Sequence, residues 1–189
     1  GRYLDSDNDG ICYRTYPGTH PEKGAYFTRG TSHDEYARYT EDGNVNAETL
    51  MRLMRKFRTA SELVPEPLIE INGEDSCGII FYGSSKPAVL EAKDILKTKN
   101  INVDLMQIRS FPFNLDVWEF IANHDRIYVV EQNRDSQMRT LIMAEGGISA
   151  EVLRPLVHFT GDPIEAAYIV NKVSEREVNY KSHKNIKER

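Results

Sequence analysis

The sequence predicts an α/β domain of three layers, a mostly parallel sheet of about five strands covered by helices on both faces, preceded by an irregular arm and one amphipathic helix. Three observations carry this expectation. Beyond Pro65, short apolar runs alternate with helical patterns of about ten residues, the arrangement that right-handed crossovers between parallel strands require. Two of the runs, GIIFY (78–82) and RIYVVE (126–131), lack polar alternation, as burial on both faces demands. Before Pro65, residues 1–45 show no sustained period of either strand or helix.

Residues 1–45 are dense in Gly, Asp, Thr, Tyr and Arg, and six of the ten tyrosines (3, 13, 16, 26, 36 and 39) fall there. An irregular Tyr-rich segment has no core of its own and is expected to lie against another surface. Leu50, Leu53, Met54 and Phe57 then recur at helical spacing behind an Asn46 cap, giving an amphipathic helix to Arg58. Its other face carries Arg52, Arg55, Lys56 and Arg58. After Pro65 and Pro67, Leu68 to Ile71 reads as a short strand and Gly78 to Tyr82 as a buried one. Ser85 then caps a helix with Pro87 in its first turn, reaching Lys99. Strands follow at Val103 to Arg109, Arg126 to Glu131 and Leu156 to Phe159. Helices follow at Leu115 to Asn123, Gln137 to Glu145 with Gly146-Gly147 as its stop, and Pro163 to Ser174. Three divisions are expected: an arm and helix at 1–64 that pack on a partner domain or subunit, the α/β domain at 65–175, and a charged, frayed tail at 176–189.

The 189 residues are 40% hydrophobic and 28% charged, too apolar for disorder and too interrupted for a spanning helix, which needs roughly 18 consecutive apolar residues. A net charge of −5 with scattered Lys and Arg argues against nucleic acid as a partner. Two cysteines, Cys12 and Cys77, cannot supply the four thiolates of a typical iron–sulfur cluster. The start at Gly1-Arg2-Tyr3-Leu4 is unlike a secretory signal and reads as a piece of a longer polypeptide. A cytoplasmic setting and no membrane partner are expected.

Four motifs invite chemistry. Asp5-Ser6-Asp7-Asn8-Asp9-Gly10 matches the first half of a calcium loop, with Asp5, Asp7 and Asp9 as the ligand set. The twelfth position is Tyr16 instead of the bidentate Glu, so a bound Ca²⁺ and a metal-free Asx-rich turn both remain open; a cation would need a distant carboxylate such as Glu22. Gly83-Ser84-Ser85 follows a strand and opens a helix, where doubly wound folds bind phosphates. Its glycine fingerprint is incomplete, and a plain turn capped by Ser85 is the simpler reading. Glu131-Gln132-Asn133-Arg134 ends a buried strand at the edge where open sheets place ligands; Glu131 reads either as an internal pair or helix cap, or as an interface contact. Finally, Thr28-Arg29-Gly30-Thr31-Ser32-His33-Asp34-Glu35 joins a cation, an imidazole and two carboxylates on one loop, suited to an anionic substrate or to organising a neighbouring site. No Gly-Asp-Gly motif followed by Asn-Asn, the usual thiamine diphosphate metal signature, is present.

RYLDSDNDGICYRTYPGTHPEKGAYFTRGTSHDEYARYTED, followed by a basic helix, a Pro-rich junction, GIIFYGSS and RIYVVEQNRDSQM, resembles the carboxyl-terminal part of the alpha subunit of 2-oxoacid:ferredoxin oxidoreductases, most closely the 2-oxoglutarate type. The likeness runs to about Ile169. It implies a thiamine diphosphate enzyme that decarboxylates a 2-oxoacid, passes electrons through a 4Fe-4S cluster to ferredoxin and forms an acyl-coenzyme A. It also implies that the diphosphate, its Mg²⁺ and the cluster are held by a beta subunit, and that the pyrimidine-contacting domain precedes this stretch. The α/β domain would then be of the transketolase carboxyl-terminal type, with no cofactor held by this chain alone. Two positions depart from the family pattern: Ser32, where Gly is usual, and Cys12, where Pro is usual.

On this resemblance the substrate and interface candidates are Arg29, Thr31, His33, Asp34, Glu35, Glu131 and Asn133. Arg29 would attract the anionic 2-oxoacid, and Asp34 and Glu35 would pair with basic residues across a subunit interface. Partners would be the thiamine-binding beta subunit, the preceding alpha-subunit domain and, through the complex, ferredoxin. The isolated chain is expected to be inactive. The competing expectation is a free-standing flavodoxin-like module binding nucleotide or coenzyme A at Gly83, Ser84 and Ser85; a calcium-stabilised scaffold would rest only on the Asp5 loop.

Overall fold

The apolar runs around 78–82 and 126–131 become neighbouring inner strands because neither could leave a face in water. In the computed structural model, which describes residues 1–24, 32–73 and 77–187, the chain separates into two units, Gly1–Val64 and Pro65–Arg189.

In the second unit, β1 (Leu68–Glu70), β2 (Cys77–Tyr82), β3 (Val103–Ile108), β4 (Ile127–Glu131) and β5 (Leu153–Val157) form one sheet in the order β1-β3-β2-β4-β5. β1 runs antiparallel to β3, and the other pairings are parallel. The strand alternation sends Ile79, Phe81, Leu105, Tyr128 and Val130 to one face, where α2 (Lys86–Thr98) and α5 (Ala166–Lys187) cover them. Ile80, Met106, Ile127 and Val129 go to the other, beneath α3 (Leu115–Ala122) and α4 (Gln137–Gly146). Full burial of each such side chain contributes about 1.5–3 kcal/mol, which is why these strands carry no polar alternation. Gly78 has a packing reason: a Cβ there would stand 3.0 Å from both the Phe120 ring and Ile127. A buried His124–Asp104 contact of 3.1 Å ties α3 to β3; the other ring nitrogen of His124 lies 2.7 Å from the Phe120 carbonyl, and Asp104 also accepts the Asn72 N–H at 2.7 Å.

Several boundaries differ from expectation, each for a local reason. β5 begins at Leu153, three residues earlier than the sequence suggests, because Pro155 is compatible with an edge strand that needs no outward N–H. Ser85 is not a side-chain cap: it lies in a single 3-10 turn, Gly83–Ser85, and its hydroxyl accepts from Gln132 instead. α5 starts at Ala166, later than Pro163, and does not stop near Ser174 but continues to Lys187. The expected fraying fails at Glu177, whose carboxylate is 2% exposed and accepts from Arg126 Nε at 2.8 Å and Tyr128 Oη at 2.8 Å. Burial, and next the charge of Glu177, push the Tyr128 phenol far above its ordinary range, so Tyr128 remains a donor.

In the first unit, α1 spans Gly43–Leu63, longer at both ends than the apolar spacing suggests. Asp42, not Asn46, is the N-cap, accepting the Asn44 N–H at 2.8 Å; Asn46 lies inside the first turns and accepts from the Ser32 hydroxyl at 3.3 Å. The helix ends where Pro65 holds Val64 extended at ψ 157°. No residue of α1 is buried: Met51, Met54 and Phe57 are each half or more exposed. Among the described residues of this unit no apolar side chain is buried either, so the arm is held by polar ties. Asp5 is the main one. One carboxylate oxygen accepts the Gly10 N–H at 3.0 Å, and the other takes Arg55 Nη2 at 2.9 Å and Nε at 3.2 Å.

This pair has a pH signature. Burial pushes the Asp5 carboxyl up, but the Arg55 guanidinium and the Gly10 amide outweigh it and hold the group below the usual aspartate value of about 3.9. A lowered folded value means stability that is present above the unfolded value and is lost as pH falls through the folded one. Amide exchange at Gly10 and Ile11 should therefore be pH-insensitive, after correction for intrinsic rates, above pH about 5 and should accelerate below about 4; in Asp5→Asn that acid step should vanish.

Candidate functional site

Two places gather the residues singled out above, one in each unit. In the first unit a cleft of about 750 Å³ lies between the Tyr3–Asp5 segment, the turn at 34–38 and α1. Asp34 builds the turn: one carboxylate oxygen accepts the amides of Tyr36 and Arg38, both at 2.9 Å, around Ala37 at φ 66°. His33 stacks on Tyr3 with ring centroids 3.9 Å apart, and the Glu35 carbonyl accepts the Tyr3 N–H at 2.9 Å. The Thr49 hydroxyl of α1 donates to the His33 carbonyl at 3.3 Å. The cleft thus sets the acids Asp34 and Glu35 beside the cations Arg38, Arg52 and Arg55, a mixed lining suited to polar recognition. Ser32 has none of the left-handed backbone that a glycine in its place would serve. Arg29 and Thr31 lie outside the described residues.

Asp5, Asp7 and Asp9 do come together, each with an oxygen within 4.8 Å of the others. Their oxygens are already engaged: Asp5 by Arg55 and Gly10, Asp9 by the Ile11 amide at 2.6 Å, and Asp7 by the Tyr13 hydroxyl at 3.3 Å. The guanidinium stands where an added cation would compete with it.

In the second unit the two sheet-edge motifs meet. β2 leads to β3 on one side and β3 crosses to β4 on the other, so the carboxyl ends of β2 and β4 flank the point where the crossovers diverge. Gln132 bridges it: its Nε2 donates to the Ser84 and Ser85 hydroxyls at 3.0 and 3.2 Å, and its Oε1 accepts the Ile164 N–H at 3.3 Å. Gly83 takes φ 57° to start the turn. Glu131 is fully buried and acts as the cap of α4, accepting the amides of Met138 and Arg139 at 2.8 and 3.0 Å and the Asn133 side chain at 2.8 Å. Asn133 also donates to the Tyr82 hydroxyl at 3.3 Å and accepts the Gln137 N–H at 3.2 Å. Glu131 and Asn133 are therefore organisers of the edge.

Tyr3, Arg52, Arg55 and Gln132 were not among the sequence candidates. The helical spacing of Arg52 and Arg55 and the position of Gln132 between Glu131 and Asn133 were the available signals. As for cofactors, the chain's two cysteines cannot hold a 4Fe-4S cluster, and the hydroxyls of the Gly83 turn are taken by Gln132. Among the described residues no helix is long and apolar enough to cross a membrane.

No family model matches the chain. It is 28% identical over 176 residues to the alpha subunit of 2-oxoacid:ferredoxin oxidoreductase 2 from Aeropyrum pernix, covering 88% of this chain and 26% of that protein. It is 28% identical over 140 residues to the alpha subunit of the 2-oxoacid:ferredoxin oxidoreductase of Saccharolobus solfataricus, covering 71% of this chain and 22% of that one. The chain spans about a quarter of the length of these curated relatives. Among solved structures it matches a 2-oxoglutarate:ferredoxin oxidoreductase from Magnetococcus marinus with a TM-score of 0.77 at 23% identity, over 92% of this chain and 30% of that one. Sequence over most of the chain thus likens it to part of the alpha subunit of 2-oxoacid:ferredoxin oxidoreductases, and its fold is shared with the Magnetococcus marinus enzyme.

Proposed function

We propose that the chain serves as the carboxyl-terminal part of the alpha subunit of a 2-oxoacid:ferredoxin oxidoreductase, acting on 2-oxoglutarate, and that it contributes assembly surface and the edge of the active site. The observation that carries this reading is the sequence likeness over 88% of the chain to an alpha subunit of which the match covers 26%. The arm supports it physically. α1 is a helix of 21 residues with an apolar stripe and no buried residue, a surface that water penalises and a neighbouring domain or subunit would cover. In this reading thiamine diphosphate, Mg²⁺, the 4Fe-4S cluster and coenzyme A belong to the assembled enzyme, with a thiamine-binding beta subunit and the preceding alpha-subunit domain as partners and ferredoxin as electron acceptor. This chain's own residues hold none of them; they shape the cleft around Asp34 and Glu35.

The test is reconstitution. The 189-residue chain supplied with thiamine diphosphate, Mg²⁺, coenzyme A and 2-oxoglutarate should reduce no ferredoxin, and the assembly with the remaining alpha-subunit segment and a beta subunit should. Turnover by the chain alone, or an assembly indifferent to its omission, would sink the proposal. Within the assembly, Asp34→Asn keeps an acceptor for the Tyr36 and Arg38 amides and removes only the charge, so a loss isolates pairing across the interface. A drop in turnover of about tenfold or more is expected, since truncating one partner of a desolvated charge pair costs about 2–5 kcal/mol. Glu62→Gln, on the exposed end of α1, should leave turnover unchanged.

A further inference from the structure

We propose that the cleft between the edge strand β5 and α5 is a docking site for an acidic segment of a partner polypeptide, whose carboxylates would meet the guanidinium groups of Arg154 and Arg176. The cleft measures about 330 Å³ and is lined by Arg154, Arg176, Asn179 and Tyr180. It lies within the second unit, toward the amino ends of β4 and β5, and so at the opposite end of the strands from Gln132.

Both cations are held by aromatic rings and by neutral acceptors. The Cζ atoms of Arg154 and Arg176 each stand 5.8 Å from the Tyr128 ring centroid, and Arg154 also stands 5.6 Å from that of Tyr180, all within cation–π reach. Arg154 Nη1 donates to the Tyr128 hydroxyl at 3.4 Å, and Arg176 Nη1 to the Pro155 carbonyl at 2.8 Å. The Tyr128 hydroxyl in turn donates to Glu177 at 2.8 Å, and Arg126 pairs with that same carboxylate. With Glu177 counted in full, the cluster still sets three guanidinium groups against one carboxylate. The stretch 176–189 continues the same sign, with five Lys and Arg against two Glu in a chain of net charge −5. A positive field is thus local to this end of the molecule.

The shape favours a polypeptide over a small anion. One strand and one helix line the cleft, so a ligand is covered from one side, whereas small-molecule sites enclose most of their ligand. β5 is the last strand of the sheet, and a groove beside an edge strand suits an extended segment. Guanidinium forks take carboxylates bidentately, and Arg with Tyr is the pairing that dominates binding energy at protein interfaces.

The probe is a fluorescently labelled peptide of five Glu-Ala repeats, followed by anisotropy with the native 189-residue chain. Saturable binding with a Kd of roughly 10–100 μM is expected at about 50 mM salt, weakening about tenfold at about 500 mM. Arg154→Gln combined with Arg176→Gln should weaken it about tenfold or more. Lys97→Gln combined with Lys99→Gln removes the same charge from the exposed end of α2 and should change it by less than about twofold. Arg176→Gln alone keeps the Arg154–Tyr128 contact and should weaken binding about threefold, so the reading stands even where the double variant melts early. No binding at millimolar chain overturns the proposal. Equal weakening by the two double variants overturns it in favour of diffuse charge, and full binding by a chain lacking Arg154 and Arg176 moves the contact elsewhere. A Gln-Ala peptide that binds equally well overturns the acidic assignment. Orthophosphate that displaces the peptide at matched charge concentration overturns the polypeptide assignment. None of these readouts depends on the oxidoreductase assembly.

Discussion

Arg126→Met should lower the melting temperature of the chain by roughly 10 °C or more. The substitution leaves Glu177 as an uncompensated carboxylate at 2% exposure, and removing one partner of a buried pair costs about 3–5 kcal/mol. For a domain of this size a kilocalorie corresponds to about 2–8 °C. Two hydrogen bonds of 2.8 and 3.0 Å from Arg126 Nε would be lost, while the Tyr128 hydroxyl would still donate to that carboxylate at 2.8 Å. The Arg126 guanidinium also stacks over Tyr180, 4.2 Å from the ring centroid, so the amino end of β4 and the late turns of α5 would loosen together. Adding Glu177→Leu should recover most of the loss, because replacing both partners removes the charge as well as its compensation. A single variant that melts within a degree or two of the parent would show that water reaches Glu177 and that the late turns of α5 are not packed. Circular dichroism melts of the three chains decide it.

Gly10→Ala should release the arm from α1 while leaving the sheet unit intact. Gly10 sits at φ 84°, where an alanine costs about 1–2 kcal/mol through its Cβ alone. Here the new Cβ would also stand 2.7 Å from the Lys56 Cα and 2.8 Å from the Arg52 carbonyl, and both are helix backbone that cannot move aside. The Arg52–Gly10 and Arg55–Asp5 ties depend on that close approach. Amides of residues 10 and 11 should lose exchange protection by tenfold or more, and the arm should become open to limited proteolysis, with the main melting transition unchanged. Gly18→Ala is the control. Its φ is 86°, but a Cβ meets nothing within 4 Å, so it carries the conformational cost without the clash. Equal effects at the two positions would mean that backbone strain, not docking on α1, sets the requirement.

The inner sheet was legible because its cause is local and repeated. In 78–82 and 127–130 the residues are apolar or aromatic whichever face they meet, and a strand with that property must lie inside. Gly147 at φ 62° ends α4 as a glycine stop should, and Pro87 opens α2. The Asp34 turn is equally local, an aspartate accepting amides two and four residues on. Errors arose where one residue type serves two purposes. Pro155 disguised the start of β5, since the same missing N–H that breaks an inner strand is harmless at an edge. The run of charges after Glu175 resembled solvent-exposed tail because nothing near Glu177 in sequence announces Arg126, 51 residues away.

The same division holds at the candidate sites. Residue type and order were enough to place the fold class, the inner strands, the helix at 46–58 and the family likeness, all of which rest on periodicity and on motifs within a few residues. What no local pattern contained was compensation at a distance: Arg55 on Asp5 across 50 residues, Arg52 on Gly10 across 42, and Gln132 on Ser84 across 48. These contacts turn an acidic loop into an ion-paired staple and a phosphate-like turn into a stitched strand end. A side chain's charge is written in the sequence, but whether that charge is cancelled, buried or left to meet a ligand is set by which neighbour the folded chain brings within about 3 Å.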